Sequence, residues 1–283
     1  MQLKILVIGD LILDRWITGC FYKMTNEWAT PKKVIAAQST RVTLGGAGNA
    51  AAKLVSLNGC EVTFLVIGDG GICAAAEDVE HPPGLKFKHL PHTGYRTPEK
   101  VRIIATDCDE RFRYDWDGGW QDIHDGAVVD YLRSTRPDAV LISDYGKGTC
   151  TPDVCQAAIR SCGVSVVDPK GPSWEKYRGA TIIKCNADEL AETGKSASDL
   201  AMALGSDVVV THGHAAVELY GKGSGSVKRF PVPEVEFVDA TGAGDMFAAG
   251  LTLDFVKHRD VESAISYAIQ CASASVSQLG TGL

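Results

Sequence analysis

The stretch Leu3-Lys4-Ile5-Leu6-Val7-Ile8-Gly9-Asp10 is a nearly continuous apolar run that ends in a glycine and an aspartate. Such a run is typical of a β-strand that is buried on both faces of a sheet. Similar runs recur along the chain at residues 62–67, 139–142, 164–167, 181–183 and 207–211. We therefore expect a mostly parallel sheet, because parallel sheets are covered on both faces.

Helical stretches alternate with these predicted strands. They lie at residues 49–58, 124–133, 152–161, 186–193 and 198–204, and two more follow at 243–257 and 261–278. This alternation predicts an α/β fold, in which a doubly wound, mostly parallel central sheet has helices on both faces. The chain has no internal repeat and no linker-like composition, so we expect a single domain over residues 1–283.

Two segments interrupt the alternation of strands and helices. Residues 14–43 and residues 97–115 alternate apolar and polar side chains without a helical pattern, which favours β-strands. In the second segment, residues 107–109 have the composition of a hairpin turn. We expect the two insertions to form a small β-sheet, a lid that lies over the functional site.

The composition and the net charge of the chain argue against several classes of binding partner and cellular location. The chain has 28 Lys and Arg residues against 35 Asp and Glu, which argues against nucleic acid or an anionic membrane as the main partner. No apolar run approaches the roughly 20 residues that span a bilayer, and the first strand is too short for a signal peptide. The nine cysteines include no CxxC pair and no zinc-binding spacing, so we expect reduced thiols in a cytoplasmic protein.

The sequence Asp239-Ala240-Thr241-Gly242-Ala243-Gly244-Asp245 precedes an apolar helical stretch and is the strongest functional pattern in the chain. Small residues allow a ligand to approach the backbone, and the free N–H groups of a helix N-terminus favour a phosphate group. Asp245 is suited to accept the proton of a hydroxyl that attacks this phosphate. The alternative is a glycine-rich turn with an N-capping aspartate.

A second glycine-rich motif, Gly45-Gly46-Ala47-Gly48-Asn49, opens a predicted helix directly after the first insertion. It differs from GxGxxG and does not lie within a compact βαβ unit, so it fits a dinucleotide site poorly. Its backbone N–H groups and the Asn49 amide are suited to bind a polyhydroxylated ligand. The alternative is that the glycines only permit a tight entry into the helix.

These two motifs, in this order, resemble the two signatures of the ribokinase-like (PfkB) carbohydrate kinases. Three weaker matches accompany them: Gly9-Asp10 with Asp14, Asn186-Ala187-Asp188-Glu189 as the NxxE motif, and Thr211-His212-Gly213 as the T-x-G motif. The similarity covers essentially the whole chain. It implies a ribokinase-like fold and an ATP-dependent kinase whose acceptor is a sugar hydroxyl.

Two further stretches are similar to the D-glycero-D-manno-heptose 7-phosphate kinases of this family. Residues 143–148 match the group's S-D-Y-x-K-G, and residues 168–171 begin its D-P-K-G…Y-R-G-A-T pattern. The resemblance implies phosphorylation of the C1 hydroxyl of heptose 7-phosphate to the bisphosphate. Residues 25–32 keep only Glu27 and Pro31 of the group's S-P-E-A-P-V-P-V, so a pentose, a hexose phosphate and a nucleoside stay open as acceptors.

The resemblance also implies a role for each motif residue. Asp245 is the catalytic base, and the N–H groups of Gly242, Ala243 and Gly244 form the anion hole for the transferring phosphoryl group. The residues implied to hold the sugar are Asp14, Gly45, Gly46 and Asn49. The residues implied to bind the nucleotide are Asn186, Glu189, Thr211, Gly213 and Gly242. Glu189 is also implied to hold Mg²⁺ through a water molecule.

A sugar that already carries a phosphate needs cations in its pocket. The candidates are Lys100, Arg102, Arg113, Lys147 and Lys170. Basic residues that alternate along a hairpin, as the first three do, are more simply explained one by one as solvated charges of an outer face. Lys147 and Lys170 are stronger candidates, because each lies in a glycine-flanked loop just past a core strand, where open α/β sheets bind their ligands.

The cofactors implied by the resemblance are ATP, Mg²⁺ and a monovalent cation, K⁺, and the implied assembly is a homodimer that pairs through the lid. The remaining alternative is a sugar- or nucleotide-binding protein that has kept the scaffold without activity. An intact Asp245 argues against it, since a retired site has no chemical reason to keep the base.

Overall fold

Two β-sheets of different size organise the chain in the computed structural model. The structure describes residues 2–27, 29–68, 79–92, 97–108, 110–117, 126–223, 226–236, 238 and 240–277. The strands in chain order are β1 (Leu3–Gly9), β2 (Leu11–Thr25), β3 (Lys32–Gly46), β4 (Cys60–Gly68), β5 (Leu85–Pro91), β6 (Glu99–Ala105), β7 (Glu110–Trp116), β8 (Ala139–Ser143), β9 (Ser165–Asp168), β10 (Ile182–Asn186), β11 (Asp207–Thr211), β12 (Ala216–Tyr220) and β13 (Val227–Pro231).

The larger sheet has the strand order β13-β12-β11-β10-β9-β8-β1-β4-β5. The strands from β5 to β11 in this order are all parallel, whereas β12 and β13 extend the sheet in antiparallel fashion. The carboxyl ends of the parallel strands therefore meet at one edge of the sheet, where ligands of open α/β sheets bind.

Helices cover both faces of the larger sheet. They are α1 (Ala47–Ser56), α2 (Gly126–Ser134), α3 (Pro152–Arg160), α4 (Ala187–Glu192), α5 (Ala197–Leu204), α6 (Ala243–His258) and α7 (Val261–Val276). Ile5 and Val7 of β1 belong to the core cluster that contains α1, α6 and α7. Leu6 and Ile8 belong to the other cluster, with α2, α3 and α5. Strand β1 is thus buried on both faces, which confirms the prediction of a doubly wound α/β fold.

The smaller sheet has four strands in the order β3-β2-β6-β7. Strands β2 and β6 are parallel, and the outer pairs are antiparallel. Both insertions predicted to be strands are strands, and β2 and β3 extend beyond the predicted limits to Leu11 and Gly46. Because only Asp10 separates β1 from β2, the small sheet is a direct continuation of the core.

Three strands were not predicted: β5, β12 and β13. Each carries charged or polar residues, such as Glu218 in β12 and Lys228 and Arg229 in β13, which interrupt the apolar pattern of a fully buried strand. They lie at the two ends of the larger sheet, where only part of a strand is covered. The predicted helices are all present, with ends that differ by a few residues.

The described residues also bear on two expectations drawn from composition. None of their helices has the length and apolar character needed to cross a membrane. The eight cysteines among them form no disulfide, and the ninth, Cys73, lies outside the described residues.

Candidate active site

A cavity of about 210 Å³ lies at the carboxyl ends of β8, β9 and β10, beside the N-terminus of α6. Six of the predicted site residues line it: Lys170, Asn186, Glu189, Gly242, Gly244 and Asp245. The motif near the start of the chain and the motif near its end meet here, because Asn49 contacts Asp245 across 196 positions of sequence. Asp239 lies outside the described residues.

Asp245 lies in the first turn of α6 and is buried. The side-chain amide of Asn49 donates to one carboxylate oxygen at 2.5 Å, and the Tyr145 hydroxyl donates to the other at 2.7 Å. Burial raises the pKa of Asp245 above its ordinary value. The hydrogen bonds from Tyr145 and Asn49 and the charges of Lys184 and Lys53 oppose this rise and favour the ionised form.

Gly242 caps the N-terminus of α6 with a positive φ of 78°, a conformation that glycine adopts without steric cost. A Cβ atom at this position would lie 2.8 Å from the Asn49 amide nitrogen, so only glycine allows both the turn and the Asn49–Asp245 hydrogen bond. Ala243 departs from the expected anion hole. Its N–H donates to the Ala240 carbonyl at 3.1 Å within the turn, and the residue does not line the cavity.

Asp168 and Lys184 form a buried ion pair on the neighbouring strands β9 and β10. The Lys184 ammonium donates to both carboxylate oxygens of Asp168 at 3.0 Å. Burial raises the pKa of Asp168 to about 6, against the opposing charge of Lys184. Although burial alone would lower it, the pKa of Lys184 is raised by the charge of Asp168. Lys184 thus keeps a positive charge inside the cavity at neutral pH.

Asp10, which follows β1, holds the loop after β8 in place. One of its carboxylate oxygens accepts the backbone N–H groups of Tyr145 at 2.9 Å and Lys147 at 3.0 Å, and the other accepts that of Thr149 at 2.9 Å. Burial raises the pKa of Asp10, and these three N–H groups counteract the rise. The Gly9-Asp10 match thus has a structural role: the carboxylate organises the loop that carries Tyr145.

Asp144 begins the same loop and anchors it to the segment after β9. Its carboxylate accepts the Lys176 ammonium at 2.6 Å, the Tyr177 hydroxyl at 2.5 Å and the Gly146 N–H at 2.6 Å. These contacts satisfy a carboxylate that lines the cavity and is almost inaccessible to solvent.

The small sheet presents a cationic face to this region. Residues opposite each other in a sheet share a face, and the register aligns Asp14 with Lys100 and Arg102 with Arg113. The Lys100 ammonium lies 5.6 Å from the centre of the Tyr145 ring, so this face is the one directed toward Asp245. Arg102 donates to Asp14 at 2.7 Å.

Glycine residues at the end of β3 allow this strand to lie close to the Asp14 side chain on β2. A Cβ atom at Gly45 would lie 2.6 Å from an Asp14 carboxylate oxygen, and Gly46 is the N-cap of α1, the helix that carries Asn49. The predicted sugar residues Asp14, Gly45, Gly46 and Asn49 therefore form one group between the small sheet and α1.

The two remaining cations are each engaged by a carboxylate. Lys147 donates to Asp117 at 2.6 Å, just past the end of β7, and Lys170 lies 3.7 Å from Glu189. Lys170 lines the cavity, whereas Lys147 does not. The five cations proposed from the sequence therefore lie in two places. Four belong to the small sheet or to the loop beside it, and the fifth, Lys170, lies beside Glu189 in the cavity lining.

Asn186 and Glu189 form a reciprocal capping box at the start of α4. The Glu189 N–H donates to the Asn186 side chain at 2.8 Å, and the Asn186 N–H donates to the Glu189 carboxylate at 3.0 Å. Thr211 lies beside Asn186 in the register of β10 and β11, and its hydroxyl donates to the Cys185 carbonyl at 3.3 Å. Thr211 and Gly213 lie outside the cavity lining, one strand away.

Sequence reasoning assigned no role to five residues around Asp245: Lys53, and four residues that line the cavity, namely Asp144, Tyr145, Asp168 and Lys184. Lys53 follows Asn49 by one turn of α1 and is 1% exposed, with its Cε 3.9 Å from the position of a Cβ on Gly242. A lysine within an alanine-rich helix or an apolar strand is a usable signal, because lysine is rarely buried unless a partner carboxylate is near. Tyr145 lies in the stretch that matches S-D-Y-x-K-G, but nothing in that stretch indicates a contact with Asp245.

Comparison with known proteins identifies the family. The model of the pfkB family carbohydrate kinases matches residues 2–283. Bifunctional protein HldE from Caulobacter sp. (strain K31) is 33% identical over 300 residues, which cover 98% of this chain and 60% of that protein. Bifunctional protein HldE from Wolinella succinogenes is 30% identical over 298 residues, which cover 98% and 62%. The chain thus spans about 60% of the length of these curated relatives.

Solved structures share the fold. Phosphofructokinase-2 from Escherichia coli in complex with potassium superposes with a TM-score of 0.81 at 15% identity, covering 100% of this chain and 95% of that one. Arabidopsis thaliana ribokinase complexed with ribose and ATP has a TM-score of 0.70 at 19% identity, with 99% and 94% coverage. These similarities confirm the predicted ribokinase-like fold. Together with the match over nearly the whole chain, they lead to one conclusion: the chain belongs to the pfkB family of carbohydrate kinases, phosphotransferases that act on a sugar hydroxyl.

Proposed function

We propose that this chain transfers the γ-phosphoryl group of ATP to a hydroxyl of a sugar that already carries a phosphate. The best-supported acceptor is the C1 hydroxyl of D-glycero-D-manno-heptose 7-phosphate, because residues 143–148 and 168–171 resemble the kinases for that sugar. The observation that carries the proposal is the buried Asp245 carboxylate, held by Asn49 at 2.5 Å beside the helix N-terminus that begins at Gly242.

In the proposed reaction, Asp245 takes the proton of the acceptor hydroxyl as the hydroxyl oxygen bonds to the γ-phosphorus. The bond from this phosphorus to the β,γ-bridging oxygen breaks, and ADP leaves with the electron pair. The N–H groups of Gly242 and Gly244, with the Lys184 ammonium, stabilise charge on the transferring group. Phosphoryl transfer depends mainly on such alignment and electrostatic stabilisation.

The acceptor sugar is proposed to lie between the small sheet and α1. Asp14, Gly45, Gly46 and Asn49 would bind its hydroxyl groups, and Asn49 would then touch both the sugar and the base. The cationic face with Lys100, Arg102 and Arg113 is the proposed partner of the phosphate that the acceptor already carries. Lys147 is a further candidate for this phosphate, since it is held beside the small sheet by Asp117.

The nucleotide is proposed to bind on the other side of Asp245, along β10 and β11, through Asn186, Glu189, Thr211 and Gly213. Lys170, which the sequence predicted to bind the phosphate of the sugar, is instead proposed to contact the phosphates of the nucleotide, because it lines the cavity beside Glu189. The reaction also calls for Mg²⁺. Among the residues that the structure describes, no group of three or more Asp, Glu, His or Cys side chains is arranged to hold a metal ion directly, so a carboxylate of the cavity is proposed to act through a bound water molecule.

When bound, Mg²⁺ would neutralise charge on the phosphates, and Glu189 would hold it through a water molecule. K⁺ is the second proposed cation, supported by the potassium in the phosphofructokinase-2 complex. Titration of the activity with each cation separately tests both proposals.

The small sheet is also the proposed dimer contact and lid. It carries exposed aromatic and aliphatic side chains, namely Phe21, Tyr22, Met24, Phe112 and Tyr114. Exposed apolar side chains on one element favour a protein contact. Light scattering should give twice the monomer mass at micromolar concentration, and a monomer mass throughout this range would contradict the dimer.

The function is tested by measuring ADP release with a panel of acceptors. Heptose 7-phosphate should be the best substrate, unphosphorylated sugars should be poorer, and Asp245→Asn should abolish most of the rate with every acceptor. If a pentose or a nucleoside were the preferred substrate, the proposed acceptor would be wrong, but the proposed kinase activity would stand. No release above background with any acceptor would favour a binding protein without activity.

A further inference from the structure

The hydroxyl of Tyr145 occupies the side of the Asp245 carboxylate that Asn49 leaves open. Tyr145 donates to one carboxylate oxygen at 2.7 Å, and Asn49 donates to the other at 2.5 Å. A carboxylate offers about four acceptor positions. Two therefore remain for an acceptor hydroxyl, and the two donors together determine the plane of the carboxylate.

Tyr145 is itself held from three directions. Its backbone N–H donates to Asp10 at 2.9 Å, its ring lies 5.6 Å below the Lys100 ammonium, and its hydroxyl meets Asp245. Asp10 is buried and belongs to the link between β1 and β2, while Lys100 belongs to β6 of the small sheet. Side chains held in this way lose little further freedom on reaction, which is what a preorganised site requires.

Tyr145 is a donor here and not a second base. Burial and the nearby charge of Asp245 raise its pKa well above the ordinary tyrosine value, so the hydroxyl keeps its proton at neutral pH. Its proton therefore stays in the hydrogen bond to Asp245 while the carboxylate accepts the proton of the acceptor hydroxyl.

We propose that Tyr145 is a positioning residue for phosphoryl transfer: its hydroxyl holds the Asp245 carboxylate in the orientation that receives the proton of the acceptor. This inference rests on the proposed function, because it assigns Asp245 the role of base. Tyr145 acts through Asp245 and needs no contact with the sugar or the nucleotide.

Tyr145 should also influence the pH dependence of the reaction. The other groups that face Asp245 are Lys53 on α1 and Lys184 on β10, with Asp168 on β9 paired to Lys184. The two lysines favour the ionised carboxylate, and so does the hydrogen bond from Tyr145. Loss of the Tyr145 hydroxyl would raise the pKa of Asp245, and activity would then be lost at a higher pH as the solution is acidified.

The test compares Tyr145→Phe with Tyr220→Phe. Tyr220 also donates its hydroxyl to a carboxylate, that of Glu218 at 2.8 Å, but it pairs with Val208 at the end of β11 remote from the cavity. We expect Tyr145→Phe to lower kcat about tenfold to a hundredfold, as for a lost hydrogen bond to a charged group. The KM for ATP should stay within about twofold. The acid limb of kcat/KM should move to higher pH, and Tyr220→Phe should match the wild type in all three.

A wild-type kcat and pH profile in Tyr145→Phe would overturn the inference while leaving the proposed function intact. An inactive wild type would instead refute the proposed function. If thermal unfolding shows that Tyr145→Phe does not fold, Tyr145→Gln takes its place, since its amide keeps a neutral N–H donor. The Gln variant should have a kcat below that of the wild type and an acid limb at a higher pH than that of the wild type. A reduced kcat with the acid limb at the wild-type position would also count against the inference.

Discussion

The part of the cavity formed by Asp168, Lys184 and Asp245 beside α6, here called the cavity floor, carries charged side chains, and so does the small sheet. The two regions differ in how much of each charged side chain is exposed to solvent. Lys184 and Asp168 of the floor have side chains that are 5% and 15% exposed. Arg113 and Asp115 of the small sheet have side chains that are 54% and 38% exposed. The floor charges therefore interact at low dielectric constant, whereas the pair on the small sheet is screened by solvent.

Because of this difference in exposure, we expect the two regions to contribute differently to catalysis: the cavity floor to the rate of the chemical step, and the small sheet to binding of the acceptor. Removing one partner from a buried, hydrogen-bonded pair leaves an uncompensated charge, which costs several kcal/mol. An exposed pair contributes about 0–1 kcal/mol, so its members are free to exchange their partner for the phosphate of an incoming sugar. We therefore expect substitutions in the floor to change kcat, and substitutions on the small sheet to change KM and the choice of acceptor.

The largest expected effect is that of Asp245→Asn. An amide cannot take the proton of the acceptor, and a positioned base contributes about 10²–10⁴-fold, or about 3–5 kcal/mol of the barrier. Steady-state kinetics with the best acceptor should show this loss in kcat. The matched control is Asp153→Asn, in the first turn of α3 but exposed, which should retain the wild-type rate. Equal rates for Asp245→Asn and wild type would show that Asp245 is not the base of the reaction.

The next effect in size is that of Gly242→Ala, with Gly205→Ala as its control. Both glycines have a positive φ, 78° and 69°, so both variants should lose about 1–2 kcal/mol of stability. A Cβ atom meets nothing within 4 Å at Gly205, but at Gly242 it would collide with the Asn49 amide. Only Gly242→Ala should therefore lower kcat, by about tenfold to a hundredfold. Similar kcat values in the two variants would mean that the contact with Asn49 has no role in the reaction.

Lys53 lies near Asp245, and its substitution tests how nearby positive charge affects the pKa of that carboxylate. The expected effect is smaller than the two above. Lys53→Met removes one of the two cations that favour ionised Asp245, whose pKa burial already raises. Because the base acts only when ionised, the activity of this variant should be lost at a higher pH than that of the wild type. The measurement is kcat/KM against pH, and Lys53→Arg, which keeps the charge, should stay closer to the wild type. A shift of the acid limb to lower pH would contradict the sign of this interaction.

The smallest effect should come from the small sheet. Arg113→Met is expected to raise the KM for a phosphorylated acceptor about fivefold, with kcat unchanged and stability altered by less than about 1 kcal/mol. Arg178→Met is the control, because Arg178 forms a similarly exposed pair with Glu175 away from Asp14. An equal rise in KM for an unphosphorylated sugar would show that Arg113 does not recognise the phosphate.

The parallel core could be predicted from sequence because its strands are buried on both faces. Strand β11, for example, has the predicted bounds of residues 207 and 211. The hairpin of β12 and β13 could not, because Glu218, Lys228 and Arg229 give these strands the composition of a polar surface segment. Burial at one edge of the sheet is a tertiary property that local patterns do not record.

The same reasoning explains what could be predicted of the site. Asp245 and Asn49 lie in glycine-rich motifs whose local chemistry indicates a ligand, and the structure brings them together. Ala243 was expected to bind an anion through its N–H, but that group is used within the turn, a geometry that the motif does not specify. Tyr145 lies in the stretch that matches S-D-Y-x-K-G, but its contact with Asp245, 100 positions away, emerges only from the folded chain.

The central claim is that Asp245 serves transfer of a phosphoryl group from ATP to a sugar hydroxyl. It is tested most directly by ³¹P NMR of the reaction with ATP, Mg²⁺ and the best acceptor of the panel. We predict a new phosphate monoester signal that grows in step with ADP for the wild type and at least about a hundredfold more slowly for Asp245→Asn. ADP that accumulates with inorganic phosphate alone, or the same ester signal at the same rate in both proteins, would contradict this claim.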